Sequence, residues 1–251
     1  MRTGSDTNAT VAMLRRATLH RTSGPNGWLE DFLRDETGSR IVKLDLRWNM
    51  NVHYHRAVLD ALPVDARTAL DVGCGDGLLS FDIAARGLQV TGVDIDRASI
   101  DRASVDERAT AATRFLVGDF LTIPLRAGAF DVVASVSTLH HMDAQAGIRR
   151  MRELVSPGGV IAIVGFATSS GNGDRVRAIA GGVMKRWMQW RGHYWEHNAP
   201  TVWPPPLSTN EMADLVEREL PGATFRRVLS NRYTATWTKP GGPAGSSLPG
   251  Q

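Results

Sequence analysis

From residue 68 to residue 166 the chain alternates between two hydrophobic rhythms. Short apolar runs at 68–72, 89–93, 113–117, 130–136 and 160–166 have the length and composition of buried strands. Between them, 78–86, 97–109 and 144–155 read as helices that bury one face. Asp96 stands where the second of these helices begins and can cap it. Ser156-Pro157-Gly158-Gly159 reads as a turn before the fifth strand. This alternation predicts an α/β fold, a doubly wound and mostly parallel sheet with helices on both faces. A helix at 208–219, closed by Pro221-Gly222, leads to two strands at 223–229 and 232–238. Their short polar link predicts a hairpin, which brings the sheet to seven strands with the last antiparallel.

The two ends behave differently. Residues 1–27 are polar and broken by Ser23-Gly24-Pro25-Asn26-Gly27, while 28–36 and 41–47 carry apolar positions at helical spacing. A clearer helix spans 50–62, with Val52, Ala57, Val58, Ala61 and Leu62 apolar and Pro63 stopping it. The expected organisation is a helical, partly flexible N-terminal extension at 1–45, one domain at 46–239, and a Gly-, Pro- and Ser-rich disordered tail at 240–251. Residues 167–207 interrupt the alternation and are too long for an ordinary connection, so they read as a lid insertion. They hold Trp187, Trp190, Tyr194, Trp195 and Trp203. A helix at 174–191 is expected within them. Val176, Ile179, Ala180, Val183 and Trp187 lie on one side of it, and Arg175, Lys185 and Arg191 on the other. Docking of the apolar side on the domain is the expectation, ahead of a membrane-surface role.

Composition narrows the picture. The 251 residues carry a net charge of +3, yet the only lysines are Lys43, Lys185 and Lys239 and no basic stripe forms, so nucleic acid is a poor partner. No stretch approaches the roughly 18 apolar residues that span a bilayer. The opening residues MRTGSDTNATVAMLRR lack the apolar core of a secretory signal. Cys74 is the single cysteine, which excludes a disulfide framework and favours the cytoplasm. The histidines lack the acid or cysteine spacing of a metal site.

The candidate chemistry starts at Ala69-Leu70-Asp71-Val72-Gly73-Cys74-Gly75-Asp76-Gly77. A buried strand runs into a turn where glycines let the backbone bend sharply and approach a ligand. A dinucleotide fingerprint would space its glycines G-x-G-x-x-G, but position 78 is Leu and the glycines here fall at 73, 75 and 77. Asp71, two residues earlier, would repel a pyrophosphate and suits a cationic amino group. Asp94, Asp119 and Asp71 all fall at the carboxyl ends of consecutive strands, where open α/β sheets bind ligands.

This segment resembles the first motif of class I S-adenosylmethionine (SAM)-dependent methyltransferases, and the following motifs arrive in the family's order over roughly 50–166. The resemblance implies a Rossmann-like small-molecule methyltransferase with SAM as cofactor and S-adenosylhomocysteine as product. It places Asp71, Gly73, Gly75 and Gly77 at the methionyl end. It puts Asp94 on the ribose hydroxyls, Asp119 on the adenine amino group, and Ile95 and Phe120 beside the ring. Ser135 on the fourth strand joins this cofactor set. For Asp131 an ordinary strand-edge role is preferred.

SAM carries an activated methyl group, so alignment is the main task, and it can contribute roughly 7–11 kcal/mol. A hydroxyl or carbon acid also needs a base, and histidine is suited by its pKa. His140 and His141 follow the fourth strand. The cyclopropane-type lipid methyltransferases, distantly similar, carry a histidine near the position of His141, which is therefore favoured. Tyr54, Trp195 and His197 are the substrate-side candidates. Amino-methylating DNA enzymes carry an acid- or Asn-Pro-Pro-aromatic motif where this chain has Ser135-Val136-Ser137-Thr138. Cys74 is misplaced for a cytosine carbon-5 nucleophile. A small molecule, of the secondary-metabolite kind, is the expected acceptor at O, N or C. The alternatives are a nicotinamide-dependent oxidoreductase of related topology and a non-catalytic SAM-binding protein.

Overall fold

The structure, a computed structural model, describes residues 49–191, 194–195 and 204–241. All of them fall in one unit, Arg47–Gln251. The N-terminal extension, the tail beyond 241 and His197 lie outside the described residues.

The strands are β1 (Thr68–Val72), β2 (Gln89–Asp94), β3 (Thr113–Val117), β4 (Phe130–Val136), β5 (Val155–Phe166), β6 (Thr224–Val228) and β7 (Arg232–Thr238). The helices are α1 (Met50–His53), α2 (His55–Leu59), α3 (Leu78–Ala84), α4 (Arg97–Ser104), α5 (Ala144–Leu154), α6 (Asn172–Trp190) and α7 (Thr209–Glu219). Sheet order is β3-β2-β1-β4-β5-β7-β6. Neighbours from β3 to β5 pair in parallel, and β7 runs antiparallel to both β5 and β6. The expected seven-stranded, doubly wound sheet with one antiparallel strand is therefore the architecture observed.

Two apolar layers hold it. One face packs Leu70, Val133, Ile161 and Ile163 against Ile148, Met151, Met212 and Leu215 of α5 and α7. The other packs Val132, Ala134 and Val164 against Met50, Val58, Leu79 and Ile83. A fully buried Leu or Ile contributes roughly 1.5–3 kcal/mol. Caps fix where helices start. Asp96 accepts from the amides of Ala98 and Ser99, and Ser208 and Glu211 form a reciprocal capping box on α7.

Three local expectations change. Helix α4 ends at Ser104 rather than 109, and Asp106 then holds a tight turn by accepting from the amide and guanidinium of Arg108. Residues 156–159 belong to β5 instead of preceding it. Gly158 and Gly159 exchange hydrogen bonds with Lys239, and the register against β4 slips there. Helix α6 forms but docks by its other side. Val176, Ile179 and Val183 are 65–69% exposed and Trp190 81%. What it buries is Asp174, Gly181 and Met188. Asp174 pairs with Arg227 of β6 at 3.1 Å, and a Cβ on Gly181 would meet Ser230. A polar tether and a close backbone approach set the orientation, and the apolar stripe is left outward.

The insertion is pinched at its base. The Thr168 amide donates to Leu207 O, and the Thr209 amide donates to Thr168 O. Residues 167 and 208 thus leave and rejoin the domain side by side.

Candidate active site

The site lies at the carboxyl edge of β1, β2, β3 and β4. Gly73, Gly75 and Gly77 all take positive φ. Gly73 shows why the first must lack a side chain: a Cβ there would sit 2.2 Å from Thr138. The amides of Gly73 and Cys74 donate to Val93 O at 2.8 and 3.1 Å, and the Gly75 amide donates to Asp94 Oδ2 at 2.8 Å. The glycine loop is thus bolted to the end of β2.

Asp94 also accepts from the Asp96 amide at 2.8 Å through Oδ1. It is half-buried, and each oxygen keeps further lone-pair capacity. Asp71 is different. Its carboxyl is 1% exposed, and its one hydrogen bond from a side chain comes from Ser80 Oγ at 2.7 Å. Burial, opposed by the Ser80 hydroxyl, raises its pKa to about 6.

Ile95 stands 75% exposed just beyond Asp94, with Val117 40% exposed on the neighbouring strand. Two apolar side chains held toward water beside a carboxylate with spare lone pairs fit a planar heterocycle next to a diol. Asp119 is exposed, with Oδ1 accepting the Leu121 amide at 2.9 Å. Phe120 is 4% exposed and belongs to the core, so it forms a floor beneath this edge. Ser135 departs from the sequence expectation. It is fully buried, and its hydroxyl donates to Val72 O inside the sheet. Asp131 lies at the opposite edge, accepting from Arg67, Thr68 and Ser156, which matches the strand-edge role.

The two histidines occupy a single 3-10 turn, Leu139–His141, with rings 4.0 Å apart. His141 is exposed, whereas His140 is 8% exposed and its Nδ1 has no partner. Burial lowers both pKa values, that of His140 to about 4, with His141 and Arg232 adding to it. Asp94 partly offsets the lowering at His141. Both rings are therefore neutral at pH 7, and only His141 can meet a solute without rearrangement.

Tyr54 is 9% exposed, and its hydroxyl accepts the Leu229 amide at 3.0 Å, so it ties α1 to the β6–β7 hairpin. Trp195 is half-buried. Sequence reasoning missed Asn51, Ser137 and Arg232. Asn51 Oδ1 accepts from Ser137 Oγ at 2.7 Å and from Arg232 Nη2 at 2.8 Å, joining three distant segments. Ser137 takes φ +58, a strained value where β4 leaves the sheet. No sequence pattern flags such a network, because its members are 86 and 181 residues apart.

A family model described as a methyltransferase domain matches residues 70–163. Uncharacterised methyltransferases of Mycobacterium bovis and Mycobacterium tuberculosis are 42% identical over 202 residues, covering 78% of this chain and 100% of each relative. A ubiquinone biosynthesis O-methyltransferase of Methylobacterium nodulans is 30% identical over 57% of this chain and 58% of its own. Among solved structures, the 4+2 cyclase SpnF aligns with a TM-score of 0.57 at 15% identity, over 80% of this chain and 86% of that one. The phosphoethanolamine N-methyltransferase 2 of Haemonchus contortus, solved with S-adenosyl-L-methionine, aligns at 0.51 and 20% identity, over 69% and 38%. These structures share the fold. On the full-length identity to the mycobacterial proteins, with the glycine loop and the sheet that carries it, the chain belongs to the SAM-dependent methyltransferases of the Rossmann-like class.

Proposed function

We propose that the protein methylates a small-molecule acceptor at oxygen, nitrogen or carbon, in the cytoplasm and as part of secondary metabolism. When bound, SAM supplies a methyl group on a cationic sulfur. The glycine loop of Gly73, Gly75 and Gly77 and the buried Asp71 carboxyl hold its amino-acid end. Asp94 takes the ribose hydroxyls, Ile95 and Asp119 receive the adenine, and Phe120 supports them from below. Ser135 acts only through the strand it braces. His141 would take the proton from an acceptor hydroxyl, amine or carbon acid as that atom bonds to the methyl carbon, while the sulfur–methyl bond breaks and its electron pair returns to sulfur, leaving S-adenosylhomocysteine. His140 positions it by ring contact. Tyr54 and Trp195 border the acceptor side, and His197 is assigned there on sequence grounds.

The observation that carries this reading is the unequal pair of histidines. A neutral, exposed imidazole stands within the electrostatic reach of Asp94, beside a second ring that is buried and a poor base. A solute suits this reading better than a duplex, since the arginines are scattered among acids along the sequence.

Incubation with methyl-labelled SAM and a cell extract, followed by ultrafiltration and mass spectrometry, tests it. Label in the low-mass filtrate, lost in His141→Ala with SAM affinity retained, is expected. Label retained on protein or nucleic acid would overturn the acceptor class.

A further inference from the structure

Arg232 opens β7 in register with Phe166 at the end of β5. It therefore stands at the sheet edge that carries the histidines. It is 7% exposed. Nη2 donates to Asn51 Oδ1 at 2.8 Å, Nη1 donates to Ser230 O at 3.4 Å, and the guanidinium carbon lies 3.9 Å over the Phe166 ring. Nε is buried and has no acceptor. Among the described residues no carboxylate pairs with it, and the ionisable groups acting on it are the phenols of Tyr54 and Tyr194.

That is unusual within this chain. Buried Glu219 has Arg149 at 2.9 Å, and buried Asp174 has Arg227 at 3.1 Å. A guanidinium does not shed its proton at working pH, so burying one without a counter-ion carries a large desolvation cost. Burial lowers even this pKa to about 10. Asp71 is the matching case on the cofactor side, a buried carboxyl with no cation bonded to it among the described residues, in a site whose ligand brings an ammonium.

Position gives the second observation. Asp94 acts on His141; the His141 ring is 4.0 Å from His140; His140 is 5.1 Å from Phe166; and Phe166 lies under Arg232. The histidine pair thus separates the cofactor edge from the arginine. His53, Tyr54 and His140, the other titratable groups that feel Arg232, are neutral or disfavoured as cations. Among the described residues, an anion entering there would meet the Arg232 charge with no carboxylate paired to it, and Asp94 acts only on His141 on the far side of the histidine pair.

We propose that Arg232 receives an anionic group of the acceptor, a carboxylate bound across the Nε–H and Nη–H edge of the guanidinium. This rests on the reading that the acceptor lies beside His141, and it restricts the acceptor to an acid. The fork geometry matches two carboxylate oxygens, which a lysine could not reproduce.

The test uses benzoate and benzamide, a charged and a neutral probe of one shape, titrated into the full-length protein with and without saturating S-adenosylhomocysteine. Benzoate is expected to bind at least about tenfold tighter, as befits one charge-assisted contact. Arg232→Gln should abolish the preference and Arg232→Lys restore part of it, while S-adenosylhomocysteine affinity stays unchanged in both. Equal binding of the two probes, binding of neither, or a preference that survives in Arg232→Gln would overturn the proposal. Label transferred to macromolecules in the extract assay would overturn the small-molecule reading alone and leave this comparison standing.

Discussion

Asp71 makes both stability and cofactor affinity depend on pH. Its carboxyl is raised from 3.8 to about 6, chiefly by burial. The folded value lies above the unfolded one, so the native state holds the proton more tightly. The stabilisation by that proton is complete below about pH 3.8 and is lost as pH rises through about 6. At 1.36 kcal/mol for each pH unit, the loss is about 3 kcal/mol. Asp71→Asn removes the charge that burial penalises, while the amide oxygen still accepts from Ser80. The variant is expected to resist urea better than the parent at about pH 8, by roughly 2–3 kcal/mol, with the gap closing towards about pH 4. Cofactor binding follows the opposite sense, because the ammonium of SAM requires the ionised carboxylate. Isothermal titration of the parent should show affinity rising about fivefold from pH 5 to 6 and about tenfold by pH 7, where it levels, whereas the variant binds weakly and without that slope. A parent affinity that is flat over this range, or an Asn variant less stable at high pH, would refute the assignment of Asp71 as a buried acid held for a cation.

Other outcomes follow from single contacts. Asp94→Ala removes the acceptor of the Gly75 and Asp96 amides as well as the proposed ribose ligand. SAM affinity should fall at least about tenfold by titration, since each hydrogen bond to a charged group is worth about 1.5–3 kcal/mol. Gly73→Ala forces a side chain onto φ +70 and into Thr138, so its unfolding free energy from urea denaturation should drop by more than about 1 kcal/mol. Ser208→Ala, which breaks the capping box of α7, should cost about 1 kcal/mol in the same assay. Ile179→Ser should change stability by less than about 0.5 kcal/mol, because the side chain is 69% exposed; a core-sized loss would mean the apolar face of α6 is docked.

The strands and the glycine loop were legible because local chemistry dictates them. β1, β3 and β4 have the bounds expected from their apolar runs, and Asp96 caps the helix it precedes, as expected. Asp94 was legible as a strand-end acid. The sequence did not disclose that its carboxylate also clamps Gly75, since that bond crosses 19 residues. Ser135 shows the reverse failure. It lies in the right strand, but alternation along the strand turns its hydroxyl inward to Val72.

Helix α6 marks the boundary most clearly. Periodicity gave a helix over 174–191, found at Asn172–Trp190, and which residues share its apolar stripe. It could not decide which side meets the domain, because that depends on Arg227 and Ser230, residues supplied by a hairpin folded from later in the chain. The same holds for Arg232. By itself the sequence determined a parallel α/β sheet, its order of motifs and a SAM-type loop, all of which arise from spacing within one strand–turn–helix at a time. Only the tertiary structure brought Asn51, Ser137, His140, Phe166 and Arg232 together, and only burial left one guanidinium among them with no carboxylate paired to it among the described residues. Spacing is a local property, whereas desolvation belongs to the whole packed edge.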